Sequence, residues 1–289
     1  MGSAVPTLPR SFLYVPGTKP ELFPTASAGP ADAVVLDLED SVPLPEKYGA
    51  RSAVRRWLEQ DREPGAEQWV RINAEWVHED LSAAVRPGLS GVFLAKCSLD
   101  AMRAVAEALE TLTRERGVPA GSVRVVGLLE NAQGILDLPA LAREPWLTTF
   151  GIGEVDLLAD LRITRSNGSA AAVDALRTQV VLHCAAAGLA APVAPTSTDF
   201  RDLETFAQTT RILHNLGFRS RTAIHPAQVP VIHDVVTPTD EAITEAMSVV
   251  NRFEAAERGV TTDELGRLID AAVVREARET LARSARAPR

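Results

Sequence analysis

The sequence predicts an α/β protein: a (β/α)8 (TIM) barrel followed by a C-terminal helical extension. Short apolar runs alternate with amphipathic helical stretches along residues 1–236, and eight such runs occur. Eight strands and a length near ~250 residues are typical of this barrel. Residues 237–289 contain helical patterns and no strand pattern. We therefore predict a barrel domain over residues 1–236 and a helical segment over residues 237–289.

The predicted strands are rich in Val, Leu and Ile, the composition of strands that are buried on both faces of a parallel sheet. In chain order they are Phe12–Val15, Ala33–Leu38, Trp69–Ile72, Gly91–Leu94, Val123–Leu129, Leu147–Ile152, Ala191–Ala194 and Thr222–Ile224. An open doubly wound sheet is the alternative fold. That fold needs a glycine-rich phosphate loop after the first strand, where Gly17 stands alone. The barrel is therefore favoured.

Helices are predicted between the strands and after them. Within Asp100–Arg116, the apolar residues Met102, Val105 and Leu109 share one face, and Gly117 follows as a stop signal. The other helices predicted between strands are Glu46–Leu58, Ala171–Ala187 and Asp199–Leu216. In the C-terminal segment, Gly259 separates two predicted helices, Asp240–Arg258 and Leu268–Ala285.

Composition and charge exclude several classes of protein. The 289-residue chain is 46% apolar and 24% charged, which is a globular composition, and it has no apolar run of the ~20 residues that a membrane span needs. Its formal net charge of −8 argues against nucleic acid as a partner, because a phosphate-backbone binder needs a basic face. Only Cys97 and Cys184 are present, and no secretory signal opens the chain, so we expect a cytoplasmic protein without a disulfide framework.

Polar side chains follow several of the predicted strands, at the rim where the active sites of such barrels lie. In chain order they are Asp37, Glu39, Asp40, Arg71, Asn73, Lys96, Glu130, Asn131, Glu154, Asp156 and His225. Carboxylates and an arginine thus converge on one rim. This convergence predicts a functional site there.

The residue types at this rim favour a hard cation. Glu130 and Asp156 follow successive strands, and two carboxylates can bind Mg²⁺ while leaving positions for water and substrate oxygens. Zinc is disfavoured because the five histidines form no ligand pair at helical spacing. The alternative is that each carboxylate caps a helix or lies in a solvated loop.

Two basic residues admit both a structural and a functional interpretation. Arg71 lies in an apolar strand, where it either forms a salt bridge with Asp37 or Glu39 or clamps a substrate carboxylate. Lys96 at a strand end could form a Schiff base with a carbonyl substrate, although an ion-paired loop lysine is the simpler interpretation.

Several segments, in the same order along nearly the whole chain, resemble citrate lyase beta-subunit-like proteins. They are Arg10–Gly17, Val34–Val42, Val70–Asn73, Leu128–Gly134, Phe150–Gly153 with Asp156, and Ile224–Gln228. The resemblance implies a Mg²⁺-dependent barrel that makes or breaks a carbon–carbon bond next to an acyl thioester. Members include the citryl-thioester lyase subunit, malyl-CoA and citramalyl-CoA lyases, and malyl-CoA thioesterases.

The resemblance also implies roles for individual residues. Glu130 and Asp156 are expected to be the metal ligands, with Arg71 and Asp37 as catalytic residues. The residues expected to bind substrate or CoA are Arg10, Lys19, Asn73, Gly153 and His225.

The C-terminal segment carries a further similarity. Gly266-Arg267-Leu268-Ile269-Asp270 resembles the family's C-terminal lid motif, whose aspartate reaches a neighbouring subunit's site as the acid/base. By this resemblance Asp270 is catalytic, and the protein is a homo-oligomer, a trimer or a hexamer.

The sequence thus predicts a Mg²⁺-dependent lyase. It would cleave a short carboxylated β-hydroxyacyl-CoA, such as malyl-CoA or citramalyl-CoA, into acetyl-CoA and a 2-keto acid, or form it from them. The alternatives are a malyl-CoA-type thioesterase, a citrate lyase subunit that acts on a carrier-protein thioester, a Schiff-base aldolase through Lys96, and a catalytically silent binding protein.

Overall fold

Eight parallel strands close into a barrel, which confirms the predicted fold class. We describe a computed structural model over residues 8–61, 65–119, 121–256 and 260–284. The chain divides into two compact units, residues 1–233 and 234–289. The strands are β1 Ser11–Pro16, β2 Ala33–Asp37, β3 Glu67–Ile72, β4 Gly91–Leu94, β5 Arg124–Leu129, β6 Leu147–Ile152, β7 Val193–Ala194 and β8 Ser220–Ala223.

Each strand pairs in parallel with the next, and β8 pairs with β1 to close the barrel. The register sets Pro16 beside Asp37 and Asp37 beside Arg71. Because all strands run the same way, the residues at their carboxyl ends meet on one rim. Asp37 and Arg71 therefore lie next to each other through main-chain pairing alone.

Helices connect the strands and cover the barrel. They are α1 Phe23–Ser27, α2 Lys47–Leu58, α3 Val77–Ala84, α4 Leu99–Glu115, α5 Ala132–Leu136, α6 Leu138–Leu141, α7 Glu154–Asp160, α8 Ala170–Ala187, α9 Leu203–Leu216 and α10 Gln228–Val236. The predicted helix at Asp199 begins only at Leu203, because the side chain of Asp202 accepts a hydrogen bond from the Thr205 amide and caps the helix. None of the described helices has the length and apolar character needed to cross a bilayer.

The barrel interior is filled by aromatic side chains. Phe12, Trp69 and Phe93 are fully buried, and their ring centroids lie 5.1 to 5.6 Å apart, two of the three pairs edge to face. This packing requires glycine at position 91, because a Cβ there would lie 2.6 Å from a ring carbon of Trp69 and would clash with it. The interior is thus a packed core that closes the barrel below the rim.

The C-terminal unit consists of two helices joined by a small hairpin. Helix α11 (Asp240–Glu254) is followed by strands β9 (Thr261–Thr262) and β10 (Leu268–Ile269), which pair antiparallel, and then by α12 (Ala271–Ser284). The expectation that this segment has no strand was wrong. Gly266, with a φ of +77°, adopts the left-handed conformation that the hairpin turn requires. The predicted helix residues Arg258 and Ala285, and the predicted break at Gly259, lie outside the described residues.

Candidate active site

Asp37 and Arg71 form a two-pronged ion pair at the carboxyl ends of β2 and β3. Arg71 Nε donates to Asp37 Oδ1 at 2.6 Å, and Arg71 Nη2 donates to Asp37 Oδ2 at 2.7 Å. The amides of Glu39 and Ser41 also donate to this carboxylate. Burial alone would raise the pKa of Asp37, but the hydrogen bonds and positive charge of Arg71 outweigh it and hold that pKa below its usual value. Asp37 is therefore a fixed anion that orients Arg71.

Arg71 faces two further carboxylates. Its Nη1 lies 3.0 Å from Glu39 Oε2 and 3.2 Å from Asp40 Oδ2, and its guanidinium carbon sits 5.0 Å from the ring centroid of Tyr14. The salt bridges with Asp37 and Glu39 that the strand position suggested are both present. Because these contacts fix the guanidinium from several sides, Arg71 presents a preorganised positive charge at the rim.

Lys96 connects two acidic residues of the site. Its Nζ donates to Glu39 Oε1 at 2.8 Å, and its backbone amide donates to Glu130 Oε2 at 2.6 Å. The backbone of Lys96 is left-handed, with a φ of 48°, which is uncommon for a residue with a side chain. The hydrogen bond to Glu39 raises the pKa of Lys96, which keeps its amine charged. A charged amine is a poor nucleophile, so the structure disfavours the Schiff-base alternative.

Glu130 directly follows β5 and is buried. Burial, together with the nearby carboxylates of Glu39 and Asp156, raises its pKa to about 7, although the Lys96 amide and the charge of Arg71 oppose the shift. Among the described residues, no group donates a hydrogen bond to Glu130 Oε1. That oxygen is thus available to a ligand.

Gly153 makes room for Glu130. It lies between β6 and α7, and a Cβ built on it would fall 2.5 Å from Glu130 Oε1 and 2.9 Å from Glu130 Cδ. Its φ of −82° is open to any residue, so close approach and not backbone conformation accounts for glycine here. Gly153, predicted to bind substrate, therefore lies against the side chain of Glu130.

A cavity of about 250 Å³ opens at this rim. Glu130 and Asp156 line it together, with Tyr14 and the threonines Thr196 and Thr222 among the other lining residues. Glu154 also lines the cavity, but its carboxylate accepts hydrogen bonds from Arg177 and Arg165. The two carboxylates predicted to bind a metal thus share one small cavity.

The donor set of this cavity fits Mg²⁺. Six carboxylates lie on the rim (Asp37, Glu39, Asp40, Glu130, Glu154 and Asp156), and among the described residues four cations pair with them directly, namely Arg71, Lys96, Arg165 and Arg177. No three Asp, Glu, His or Cys side chains in the described ranges converge as a complete ligand set. Mg²⁺ is commonly held by one or two carboxylates plus water and substrate oxygens. An excess of negative charge, with the two carboxylates predicted to be ligands in one cavity, therefore matches that ion.

Two of the predicted binding residues lie away from the cavity. Arg10 precedes β1 at the opposite, amino-terminal end of the barrel, where its guanidinium binds both oxygens of Asp32 at 2.7 and 2.8 Å. The buried amide of Asn73 is occupied within the protein by Lys47, Asp80 and the Leu38 carbonyl. Its contacts hold the loop after β2, and its predicted contact with substrate stays a prediction.

The other predicted binding residues lie on the rim. Lys19 is exposed in the turn after β1. His225 follows β8, and its ring stacks on Phe200 with centroids 4.9 Å apart. In the C-terminal unit, Asp270 caps α12, since its Oδ1 accepts hydrogen bonds from the amides of Ala272 and Val273.

Tyr14 and Thr196 line the cavity, although neither was assigned a role from the sequence. Tyr14 shares the inward face of β1 with Phe12, so the two-residue period of a strand could have pointed to it. Thr196 lies two residues beyond the short strand β7, and its buried hydroxyl has no hydrogen-bond partner among the described residues. Only the three-dimensional arrangement singles out that hydroxyl.

Comparison with known families decides the identity of the barrel. The profile of the HpcH/HpaI aldolase/citrate lyase family matches residues 10–226, a range that contains all eight barrel strands. The chain belongs to this family. The resemblance to citrate lyase beta-subunit-like proteins is thereby confirmed.

Named relatives and a solved structure agree with this family. The chain is 31% identical over 283 residues to citrate lyase subunit beta of Escherichia coli K12, covering 95% of this chain and 93% of the relative. It is also 31% identical over 282 residues to the (3S)-malyl-CoA thioesterase of Cereibacter sphaeroides KD131, covering 95% and 94%. The Mycobacterium tuberculosis protein CitE, solved in complex with magnesium, acetoacetate and coenzyme A, matches with a TM-score of 0.72 and 27% identity over 96% of this chain and 98% of that chain.

Proposed function

We propose that this protein is a Mg²⁺-dependent carbon–carbon lyase. Its substrate would be a short carboxylated β-hydroxyacyl-CoA such as malyl-CoA or citramalyl-CoA, and its products acetyl-CoA and a 2-keto acid. The observation that carries the proposal is the cavity that Glu130 and Asp156 share beside the Arg71–Asp37 pair. Family membership and the magnesium, acetoacetate and coenzyme A bound to the related CitE protein support it.

Glu130 and Asp156 are the residues that would hold Mg²⁺. Bound there, the ion would act as a Lewis acid toward the substrate oxygen that becomes the keto group. Gly153 supports this role, because its missing side chain leaves Glu130 Oε1 free at the cavity wall. The Lys96 amide holds the other oxygen of Glu130, which fixes the direction in which the carboxylate points.

Cleavage of such a substrate moves one proton and one electron pair. The β-hydroxyl loses its proton, the bond between its carbon and the α-carbon of the thioester breaks, and the electron pair of that bond passes to a thioester enolate. The enolate carbon then gains a proton. In our proposal Arg71, held by Asp37, stabilises the negative charge that develops on substrate oxygen. Exposed Lys19 on the rim would bind the CoA phosphates.

Asp270 would exchange the proton at the enolate carbon. It lies in the C-terminal unit, where α12 begins. In our proposal this unit covers the site of a neighbouring subunit, so the working form is a homotrimer or a hexamer. Removing the side chain of Asp270 (Asp270→Ala) should then lower turnover strongly while substrate binding stays close to that of the wild type.

Hydrolysis of the thioester is the second candidate function. The relative named (3S)-malyl-CoA thioesterase is as similar to this chain as the E. coli citrate lyase subunit is. A thioesterase would use the same cavity, with water reaching the thioester carbonyl. The third candidate function is cleavage of a carrier-protein thioester instead of a CoA thioester, as the citrate lyase relatives suggest.

One experiment separates these candidates. Malyl-CoA and citramalyl-CoA are incubated with the protein, with Mg²⁺ or with EDTA, and the products are identified by mass spectrometry. Acetyl-CoA with a keto acid, formed only with Mg²⁺, supports the lyase. Free CoA with intact hydroxy acid supports the thioesterase. If neither substrate reacts, both CoA-dependent functions are refuted and the citryl-carrier-protein thioester is the next substrate to assay.

Variants assign the metal ligands. Glu130→Ala and Asp156→Ala should each abolish Mg²⁺-dependent turnover and leave the fold intact. Asp100→Ala removes a nearly fully exposed carboxylate on α4 and serves as the matched control. Wild-type turnover in either cavity variant would remove that residue from the metal site.

A further inference from the structure

We propose that Tyr14 contacts the substrate, and that its hydroxyl donates a hydrogen bond to an oxygen of the keto-acid half. This inference rests on the lyase function proposed above and extends it to a residue that the sequence motifs did not select. Three observations support it: the position of Tyr14 in the barrel, the lack of a hydrogen-bond partner for its hydroxyl among the described residues, and the charges around it.

Tyr14 sits on top of the aromatic core of the barrel. It lies one inward-facing position beyond Phe12 on β1, with its ring 6.2 Å from that of Phe93, and it lines the cavity that contains Glu130. The rings below it are phenylalanine and tryptophan, which fill the interior without presenting a polar group to the cavity. A phenylalanine at position 14 would complete this packing equally well. The hydroxyl is thus the only part of Tyr14 that the core does not need.

Across the part of the chain that the structure describes, the Tyr14 hydroxyl neither donates nor accepts a hydrogen bond. Tyr14 is half-buried and lines the cavity, and its hydroxyl is not one of the enclosed polar atoms, so the hydroxyl is accessible from the cavity. Thr222 is a contrasting case in the same cavity, since its hydroxyl donates to the Ala194 carbonyl at 3.3 Å. A ligand in the cavity would supply the missing acceptor for Tyr14.

The surroundings keep Tyr14 a donor. Burial raises the pKa of Tyr14 well above its usual value, and the carboxylates of Asp37 and Glu130 add to this, although Arg71 opposes it. The guanidinium of Arg71 stacks over the ring and fixes its plane. A protonated phenol held in one orientation is suited to bind a carbonyl or carboxylate oxygen.

The size of the cavity identifies which half of the substrate Tyr14 meets. About 250 Å³ accommodates a small keto acid but not coenzyme A. Because Tyr14 and Glu130 line this same cavity, the part of the substrate within reach of Tyr14 is the part that is released as the keto acid. Tyr14 should therefore affect keto-acid binding and leave CoA binding unchanged.

The test uses Tyr14→Phe, which deletes only the hydroxyl. Binding of three keto acids (glyoxylate, pyruvate and oxaloacetate) and of CoA is measured by calorimetry with Mg²⁺ present. We expect the affinity for the keto acids to fall about ten-fold, the size expected for losing a hydrogen bond to a charged acceptor, and CoA affinity to stay within about two-fold. The control is Tyr48→Phe, which removes the hydroxyl of an exposed tyrosine and should leave both affinities unchanged. Unchanged keto-acid affinity in Tyr14→Phe overturns the proposal.

A spectroscopic readout does not depend on losing the residue. The chain has two tyrosines, so Tyr48→Phe leaves Tyr14 as the only one. Its ultraviolet resonance Raman doublet, which reports phenol hydrogen bonding, should shift when pyruvate is added. An unshifted doublet with pyruvate bound would refute the contact.

The inference and the lyase proposal fail separately. If the wild type binds keto acids but cleaves neither malyl-CoA nor citramalyl-CoA, the lyase proposal fails while the Tyr14 measurements still decide the contact. If the wild type binds none of glyoxylate, pyruvate and oxaloacetate, the keto-acid subsite and the role of Tyr14 are both refuted. A lower melting temperature of free Tyr14→Phe would show that the hydroxyl is needed for folding, which also contradicts the proposal.

Discussion

Replacing Gly153 by alanine tests whether the close approach of Gly153 to Glu130 positions that carboxylate. The new Cβ would lie 2.5 Å from Glu130 Oε1, whereas non-bonded contacts of a Cβ with another residue are essentially never shorter than 3.0 Å. The carboxylate must therefore move by about 0.5 Å or more. Its other oxygen is held at 2.6 Å by the Lys96 amide, so the movement stretches or breaks that hydrogen bond.

The magnitude follows from this displacement. Misplacing a reacting group by ~1 Å can lower the rate ~100-fold, so we expect kcat/KM to fall between about 10-fold and 100-fold. Overpacking of this kind costs about 1 to 3 kcal/mol of stability. Part of that loss is offset, because alanine lowers the conformational entropy of the unfolded chain relative to glycine, which stabilises the folded state by about 0.4 to 1 kcal/mol.

The assay measures kcat/KM at several Mg²⁺ concentrations together with the free energy of unfolding in urea. We expect the apparent Mg²⁺ affinity to fall along with kcat/KM. Gly49→Ala is the matched control, because Gly49 lies within helix α2 and a Cβ there would meet no atom within 4 Å. Alanine is the better helix former by about 1 kcal/mol, so this control should gain stability and keep full activity. Wild-type kcat/KM and Mg²⁺ dependence in Gly153→Ala would refute our account of how Glu130 is positioned.

Three further predictions concern other parts of the barrel. Asp32→Asn should lose about 2 kcal/mol of stability at pH 7, because it weakens the charged hydrogen bonds between Asp32 and Arg10. Those bonds outweigh burial and lower the pKa of Asp32, so their contribution is present above the unfolded pKa and is lost as the pH falls through the folded pKa. Urea unfolding at pH 3 should therefore show a smaller difference in stability between Asp32→Asn and the wild type. Thr196→Val removes a buried hydroxyl that has no hydrogen-bond partner among the described residues, so the free protein should gain about 1 kcal/mol of stability and melt at a higher temperature. A lower melting temperature would contradict the contacts described for that side chain. Borohydride added with pyruvate should leave the protein mass unchanged, because Glu39 keeps Lys96 protonated, and a trapped adduct on Lys96 would reinstate the Schiff-base mechanism.

Most of the barrel was predictable from local pattern. Strands such as Ala33–Asp37 and Gly91–Leu94 are short apolar runs between amphipathic helices, because both of their faces are buried. The weakest prediction fell in the C-terminal unit, where strands of only two residues carry no periodic signal. There the structure depends on the turn at Gly266 and on Asp270, which begins α12.

The site was predictable at the strand ends and not beyond them. Asp37, Arg71 and Glu130 come at the ends of apolar runs, and parallel strands bring such positions to one rim. Arg10 stands within an equally recognisable motif, yet it lies at the opposite end of the barrel. The motif shows similarity to a family, whereas the end of the strand on which a residue lies determines whether it can reach the cavity.

The order of residues along the chain was enough to establish the fold class, the family resemblance and the strand-end carboxylates, because each depends on local periodicity or on short motifs. The tertiary structure alone decided which groups remain available to a ligand. Among the described residues, no group binds Oε1 of Glu130, which Gly153 leaves room for, and none binds the Tyr14 hydroxyl, which belongs to the cavity lining above the packed core. Such availability depends on contacts between residues far apart in sequence, which no local pattern records.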